Sequence, residues 1–487
     1  MHLTNLLLLT LILIIVYDFF KLLFLISDKV IDNPKIIIQV VLKTFKTFLK
    51  LYKPIKSISV FLIINLHKKL RIVSIYLKDL QRYILTKTKQ HQTIYLFLVI
   101  FLSTIMNFFI AFSFEGTGDY GGWNTGARTG LEKADLGMGN GTVYDKDCSL
   151  LCVNWPPLTY HYLMLMRWLY LNANPLGLAE LGVYSVLPIL SGIGITLFIY
   201  FYVKKNRSGN PLFLSLLYAF SPISIYITAY HGQRDSVWIF LTMLAIYFIS
   251  KKRVLVSALF FGLGVSFKIP GLLLFPLVFF YLQGFYKKFL FTFLTFATVY
   301  FLNLPEIYTH SQEVINQVFL YRGHANWWGL SGIISKILIF IDIPQSANIS
   351  SLLKLNLYLF LIYFSYRLAK NKDLFNSCLT LIILVMVLSP VFGYQYLLYP
   401  LSFMILLYKK YESFVWLYII LGTYLTINFY ASIFGVQLLE KVFLSIPQKL
   451  VFYKIPHFIY PLDLGFIIWI LCIFFAYRLF FKNESHR

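Results

Sequence analysis

Long apolar runs, broken by short charged or Pro/Gly-bearing turns, dominate the chain, and each run is read as a membrane-crossing helix. They fall near residues 3–26, 93–113, 181–203, 210–229, 235–250, 254–267, 269–283, 286–304, 352–369, 375–390, 394–408, 412–432 and 459–481. The pattern predicts an all-α, polytopic transmembrane helical bundle of about 12–13 spans. The first run lacks a small-residue cleavage site and continues through Phe19, Phe20 and Leu22 to Ile26, so 1–27 is read as an uncleaved anchor.

Orientation follows from the placement of Lys and Arg. Residues 28–90 hold fourteen Lys/Arg against three Asp, and Lys43, Lys46, Lys50 and Lys53 recur at helical spacing, the signature of a basic amphipathic segment on the cytoplasmic surface. Lys204-Lys205-Asn206-Arg207, Lys251-Lys252-Arg253, Lys287-Lys288 and Lys409-Lys410 punctuate later turns, and the rule assigns them to the same side. The stretch from Phe114 to Trp155 has the opposite balance, six acidic residues to three basic, and is placed outside. If Pro157–Leu171 crossed the membrane, the later basic turns would be exported, so it is laid along the surface as an interfacial helix, which its Arg167 also favours. By the same argument Leu330–Ile341 is interfacial or re-entrant. The organisation expected is thus an anchor at 1–27, the basic segment at 28–90, a catalytic transmembrane module at 91–410 containing the external loop 114–172, and C-terminal helices at 411–487.

Composition agrees and narrows the class. Of 487 residues 59% are hydrophobic and only 13% charged, more apolar surface than a water-soluble core can hide. The net charge of +23 then reads as cations retained on one side of a membrane, and no recognition motif accompanies it, so nucleic acid is excluded as a partner. Of the four cysteines only Cys148 and Cys152 are neighbours, and no zinc spacing occurs; that pair reads either as a disulfide or as two thiols.

Four polar constellations converge on the side assigned to the exterior. Gly118-Asp119-Tyr120, followed by Trp123 and Arg128, puts a carboxylate among glycines just beyond a span, where a general base could meet a hydroxyl; the alternative is a solvated loop residue. Asn154-Trp155-Pro156-Pro157-Leu158-Thr159-Tyr160-His161 opens the interfacial helix and reads as substrate contact or as an aromatic anchor. His231-Gly232-Gln233-Arg234-Asp235 caps two spans, with Asp235 either functional or a helix cap. Lys268 breaks the positive-inside pattern, and either holds a phosphate or snorkels to headgroups. Arg322, His324, Asn326, Trp327 and Trp328 lie in a later outer loop, and Gln395 with Tyr396 in the stretch after Ser389-Pro390.

With these residues the chain resembles the membrane glycosyltransferases of the GT-C fold, most closely the dolichyl-phosphate-glucose-dependent glucosyltransferases. Gly118-Asp119-Tyr120 is similar to that family's GDY motif, which implies Asp119 as catalytic base. Trp155 to His161 resembles its YPPLTAYH stretch, His231 to Asp235 its HFQYN segment, Phe267-Lys268 its FK pair, and Ala325-Asn326-Trp327-Trp328 its ANFW. The surroundings of Gln395 are similar to the SPQY-type motif of bacterial members. Gly121-Gly122 stand where the family carries EAQRHW. The resemblance spans roughly residues 93–410 with the motifs in family order.

It implies inverting transfer of a hexose on the extracytoplasmic face, from a polyprenyl-phosphate sugar donor to a hydroxyl of a lipid-linked glycan or other surface acceptor. It also implies substrate-binding roles for Tyr120, Arg128, Trp155, Tyr160, His161, His231, Gln233, Arg234, Asp235, Lys268, Arg322, His324, Asn326, Trp327, Gln395 and Tyr396, with no cofactor and no metal. Besides donor and acceptor, membrane lipids are the expected partners. Two rivals share the sequence features: a lipid-linked glycan flippase or transporter, and a catalytically inactive scaffold. The topology carries its own test. Membrane-impermeant thiol labelling of intact cells should reach a cysteine placed at Gly139 and spare one placed at Lys69; the reverse pattern overturns the orientation.

Overall fold

The computed structural model describes residues 92–114, 116, 119–132, 155–174, 179–319, 348–371, 373–389, 393–442 and 461–481. The expected spans and segments before residue 92, the 330–341 segment, and Cys148 with Cys152 lie outside the described residues.

Every regular element among the described residues is a helix. In chain order the α-helices are α1 (Gln92–Ser113), α2 (Asp119–Glu132), α3 (Pro157–Asn172), α4 (Glu180–Tyr184), α5 (Val186–Asn206), α6 (Pro211–Ala219), α7 (Pro222–Ile225), α8 (Asp235–Ser250), α9 (Val254–Phe267), α10 (Phe275–Tyr281), α11 (Phe285–Leu302), α12 (Leu304–Thr309), α13 (Ser311–Val314), α14 (Asn348–Leu368), α15 (Leu374–Leu388), α16 (Leu398–Leu406), α17 (Tyr408–Val442) and α18 (Pro461–Phe481). The chain is an all-α polytopic membrane protein: α1, α5 and α11 are each long and apolar enough to cross a bilayer. The run expected as one span at 210–229 is broken into two helices bent by 48°, α6 and α7 with the π-helical turn Tyr226–Tyr230, which together are long and apolar enough for one broken span or a re-entrant loop. Pro222 explains the break, since its ring disfavours helical backbone at Ser221. Several other expected spans, including α8, α9 and α15, are apolar helices of 14 to 16 residues.

Shared aromatic contacts align the helix ends. Tyr247 of α8 receives both Lys205 at the end of α5 and Lys251 just past its own helix. Tyr202 of α5 lies 4.8 Å from Phe375 at the start of α15, and Tyr411 of α17 donates to Asn376 Oδ1 at 2.6 Å. Ser377 of α15 bonds the Leu368 carbonyl of α14, Tyr366 of α14 meets Phe280 of α10, and Phe279 of α10 lies under Lys288 of α11. The basic turns at 204–207, 251–253, 287–288, 367–370 and 409–410 therefore gather at one end of the bundle. The opposite ends of α8 and α9, Asp235 and Phe267, belong to the other end. A 16-residue helix separates the two by about 24 Å.

A close backbone contact between helices is made by Gly262 of α9 against α11. A Cβ there would lie 2.7 Å from both the Thr295 carbonyl oxygen and Thr298 Cβ, so only glycine lets the two backbones approach so closely. By contrast, a Cβ on Gly192 of α5 would meet only Thr228 Cγ2 at 3.6 Å, ordinary contact. Gly262→Ala should accordingly cost about 1–3 kcal/mol, read as a lower unfolding temperature in detergent, whereas Gly192→Ala should leave that temperature unchanged or raise it.

Candidate functional site

At the end opposite the basic turns, the chain between α7 and α8 makes an unusual turn. The π-helical turn closes with the His231 amide donating to the Tyr226 carbonyl at 2.7 Å, widening the last turn before the polar stretch. Gly232 follows at φ +66°, and a Cβ there would meet Ser185 Oγ at 2.7 Å and Trp123 Cζ3 at 3.0 Å, so both the backbone angle and the space demand glycine. The turn buries four polar side chains within five residues: His231 is 5% exposed, Gln233 2%, Arg234 1% and Asp235 0%.

Burying ionisable groups is costly unless they are paired and hydrogen-bonded. Lys268, at the end of α9, supplies the pairing: its Nζ donates to Asp235 Oδ2 at 2.7 Å and to Gln233 Oε1 at 3.2 Å. Gln233 Nε2 lies 3.1 Å from His231 Nε2, and Trp238 Nε1 donates to Asp235 Oδ1 at 3.3 Å. The Asp235 carboxylate thus has a partner on each oxygen. His231 and Asp235 do not share a helical face, because α8 begins only at Asp235; Gln233 and Lys268 join them instead. Tyr399 extends the chain of contacts, edge-on to Trp238 at 4.8 Å and 5.0 Å from Tyr396. Gln395, half-buried, curls back over Gly393.

Helix α2 docks on this turn through Trp123, which is fully buried. Its ring stacks on His231 at 6.2 Å, carries the Arg234 guanidinium 3.9 Å above it, and meets Trp155 edge-on at 6.2 Å. Arg234 also lies 5.8 Å from the Trp155 ring. A guanidinium over one indole face and beside a second indole is a cation–π arrangement strengthened by exclusion of water. Asp119 is the first residue of α2, one turn ahead of Trp123. Arg128 is half-buried farther along the same helix.

Two carboxylates that were not singled out from sequence hold the surrounding helices. Glu180, at the start of α4, accepts from Tyr120 at 2.8 Å and Tyr184 at 2.7 Å and pairs with Arg167 of α3. Burial, and then the bond to Glu180, pushes the Tyr120 hydroxyl above the ordinary phenol range, so it remains a donor at neutral pH. Glu306 of α12 lies 2.7 Å from His161 Nε2 of α3. The start of α3 is fixed further by Leu158 N donating to Asn303 Oδ1 at 2.8 Å and Thr159 Oγ1 donating to the Phe267 carbonyl at 2.6 Å, beside Lys268. Tyr160 packs on Val314 and Val318, with Trp155 and Ile269 alongside. Burial, with the Glu306 charge, pushes its hydroxyl up to about 12. The signal for both carboxylates was present: Glu180 is the lone acidic residue between Asp147 and Asp235, and Glu306 the lone one between Asp235 and Glu313.

The structure thus brings together Tyr120, Trp155, His231, Gln233, Arg234, Asp235 and Lys268, with Tyr160, His161 and Tyr396 one contact removed. Arg322, His324, Asn326 and Trp327 lie outside the described residues. As chemistry, the cluster offers an aromatic wall, buried cations and a helix beginning at a carboxylate-bearing residue, all at one end of an apolar bundle.

No protein-family model matches the chain. Among curated proteins it is similar to GPI mannosyltransferase 1 of Kluyveromyces lactis, 33% identical over 113 residues, which is 23% of this chain and 27% of that protein. The chain therefore spans about a quarter of the length of the relative it matches.

The buried pair sets a stability expectation. Lys268→Met leaves Asp235 charged and uncompensated and should destabilise the fold by about 3–5 kcal/mol, whereas Lys268→Met combined with Asp235→Asn should recover most of that loss. Unfolding followed by tryptophan fluorescence in detergent measures the coupling; additive effects of the two substitutions would refute the pairing.

Proposed function

We propose that the chain is a membrane glycosyltransferase of GT-C type whose site lies at the Trp123–Arg234–Lys268 end of the bundle. The observation that carries this reading is the convergence there of motifs from four separate segments, α2, the start of α3, the turn before α8 and the end of α9, on a bundle partly similar to a mannosyltransferase. In this reading the donor is a polyprenyl-phosphate hexose, and the acceptor is a hydroxyl of a lipid-linked or surface glycan. The name of the relative makes mannose the first hexose to try. The site faces the extracytoplasmic side, because the basic turns at the other end belong inside by their charge.

Asp119 acts as base. The acceptor O–H proton passes to its carboxylate as the acceptor oxygen bonds to the anomeric carbon from the face opposite the leaving group. The bond from that carbon to the phosphate oxygen breaks, and polyprenyl phosphate departs with the electron pair, so the configuration inverts. Trp155 and Trp327 offer faces for sugar or isoprenoid, and His231, Gln233 and Asp235 shape the floor. Lys268 acts as one half of an ion pair whose field faces the donor phosphate together with Arg322, rather than as the lone cation that its position in the sequence implies. Arg128, Tyr160, His161, Arg234, His324, Asn326, Gln395 and Tyr396 complete the substrate-binding set in this assignment.

Membranes containing the protein, supplied with polyprenyl-phosphate mannose or glucose and a lipid-linked acceptor, should transfer hexose. Asp119→Asn should lower the rate about 100- to 10,000-fold at normal expression. An unchanged rate removes the catalytic role, and movement of glycolipid across vesicles without donor consumption favours the transporter.

A further inference from the structure

The basic end of the bundle contains an arrangement that general retention of cations on one side does not require. Tyr247, near the end of α8, collects two ammonium groups. Lys205 Nζ is 3.5 Å from its hydroxyl and 5.9 Å from its ring centroid, and Lys251 Nζ is 5.7 Å from the same centroid. Two like charges drawn to one ring repel each other, and among the described residues neither has a carboxylate partner.

The backbone beside them is strained in the same sense. Arg207, capping α5, and Lys252, in the turn after α8, both adopt left-handed backbone, at φ 51° and 60°. Glycine or asparagine occupies such positions without that steric cost, and strain of this kind collects at ligand clamps. Both turns therefore carry a cation where a smaller residue would be more stable. Exposed apolar residues lie one turn away along each helix: Phe201 on α5 is 58% exposed and Leu255 on α9 is 53% exposed. Cations bordered by exposed hydrocarbon at the end of apolar helices match a phosphate headgroup with its acyl chain beneath, and not a free anion or a nucleic acid.

We propose that the paired turns around Tyr247 form a binding site for the phosphate of an anionic lipid in the adjoining leaflet, with Lys205 and Lys251 as its direct cationic contacts and Arg207 and Lys252 as flanking charges. The site lies at the opposite end of α8 from the proposed transferase site and does not depend on that reading.

The test uses the full chain in phosphatidylcholine nanodiscs with phosphatidylglycerol titrated in, reading retained lipid by native mass spectrometry and the unfolding temperature in parallel. Wild-type protein should retain phosphatidylglycerol and be stabilised by it. Lys205→Gln with Lys251→Gln should weaken that retention about 30-fold. Arg207→Gly with Lys252→Gly should be at least as stable as wild type in neutral lipid, because the backbone strain is relieved, yet gain less from phosphatidylglycerol. Wild-type retention by the Lys205/Lys251 variant overturns the proposal. So does equal stabilisation by soluble glycerol phosphate, which would make the ligand a free phosphate and not a lipid.

Discussion

A carboxylate with no solvent exposure, at the end of an apolar bundle, has to be matched, and the contact of Asp235 with Lys268 meets that requirement. The pair joins the first residue of α8 to the residue just past the end of α9, closing the hairpin whose other end is the Lys251–Arg253 turn. The remaining hydrogen-bonding capacity must then be filled. Trp238 takes one carboxylate oxygen, and Gln233 relays from the ammonium to His231. His231 can reach Gln233 only because the π-helical turn and the left-handed Gly232 bring the chain back toward α8. Trp123 stacks on that returned segment, and with it comes the helix that begins at Asp119. The placement of α2 is therefore downstream of one buried charge.

The same helices carry opposite chemistry at their two ends. Asp235 opens α8, where the helix dipole favours an anion, while Lys204 and Lys205 close α5, where it favours cations. One end therefore buries its charges in pairs and networks; the other leaves its charges largely exposed and mostly basic, with Asp373 and Glu412 as the acids among them. Paired burial produces a fixed, water-poor cluster able to orient a substrate, whereas unpaired exposure produces a field that attracts anions. The two ends are suited to different partners although they share backbone.

Hydrophobic run length was enough to find most described helices, because a lipid-facing helix must be apolar over most of its surface. Breaks within runs were not visible in that measure. The 210–229 run reads as uniform, yet Pro222 and the π-helical turn divide it, and the short α15 is buried along nearly its whole length, a property of its neighbours and not of its composition. The site divides similarly. The HGQRD turn and Lys268 stood out because polar residues interrupt apolar sequence. Their partnership across more than thirty residues did not, and neither did the roles of Glu180 and Glu306, whose partners Tyr120 and His161 lie 60 and 145 positions away. Periodicity records which face a residue occupies, and it is silent about which carboxylate will meet which donor.

Helix α3 shows how the local and distant terms combine. Its first two turns are pinned by Asn303, Phe267 and Glu306, while farther along Leu165, Trp168 and Leu171 are exposed and Arg167 turns to Glu180. An apolar exposed edge with polar anchors on the inner side suits a helix that borders lipid. The two lone acids that hold α3 sit on different helices, α4 and α12, so α3 bridges parts of the bundle far apart in sequence. Because Thr159 bonds the carbonyl next to Lys268 and Trp155 packs on Trp123, that bridge forms one side of the cluster built around Asp235. A helix anchored in this way adds no charge of its own to the cluster.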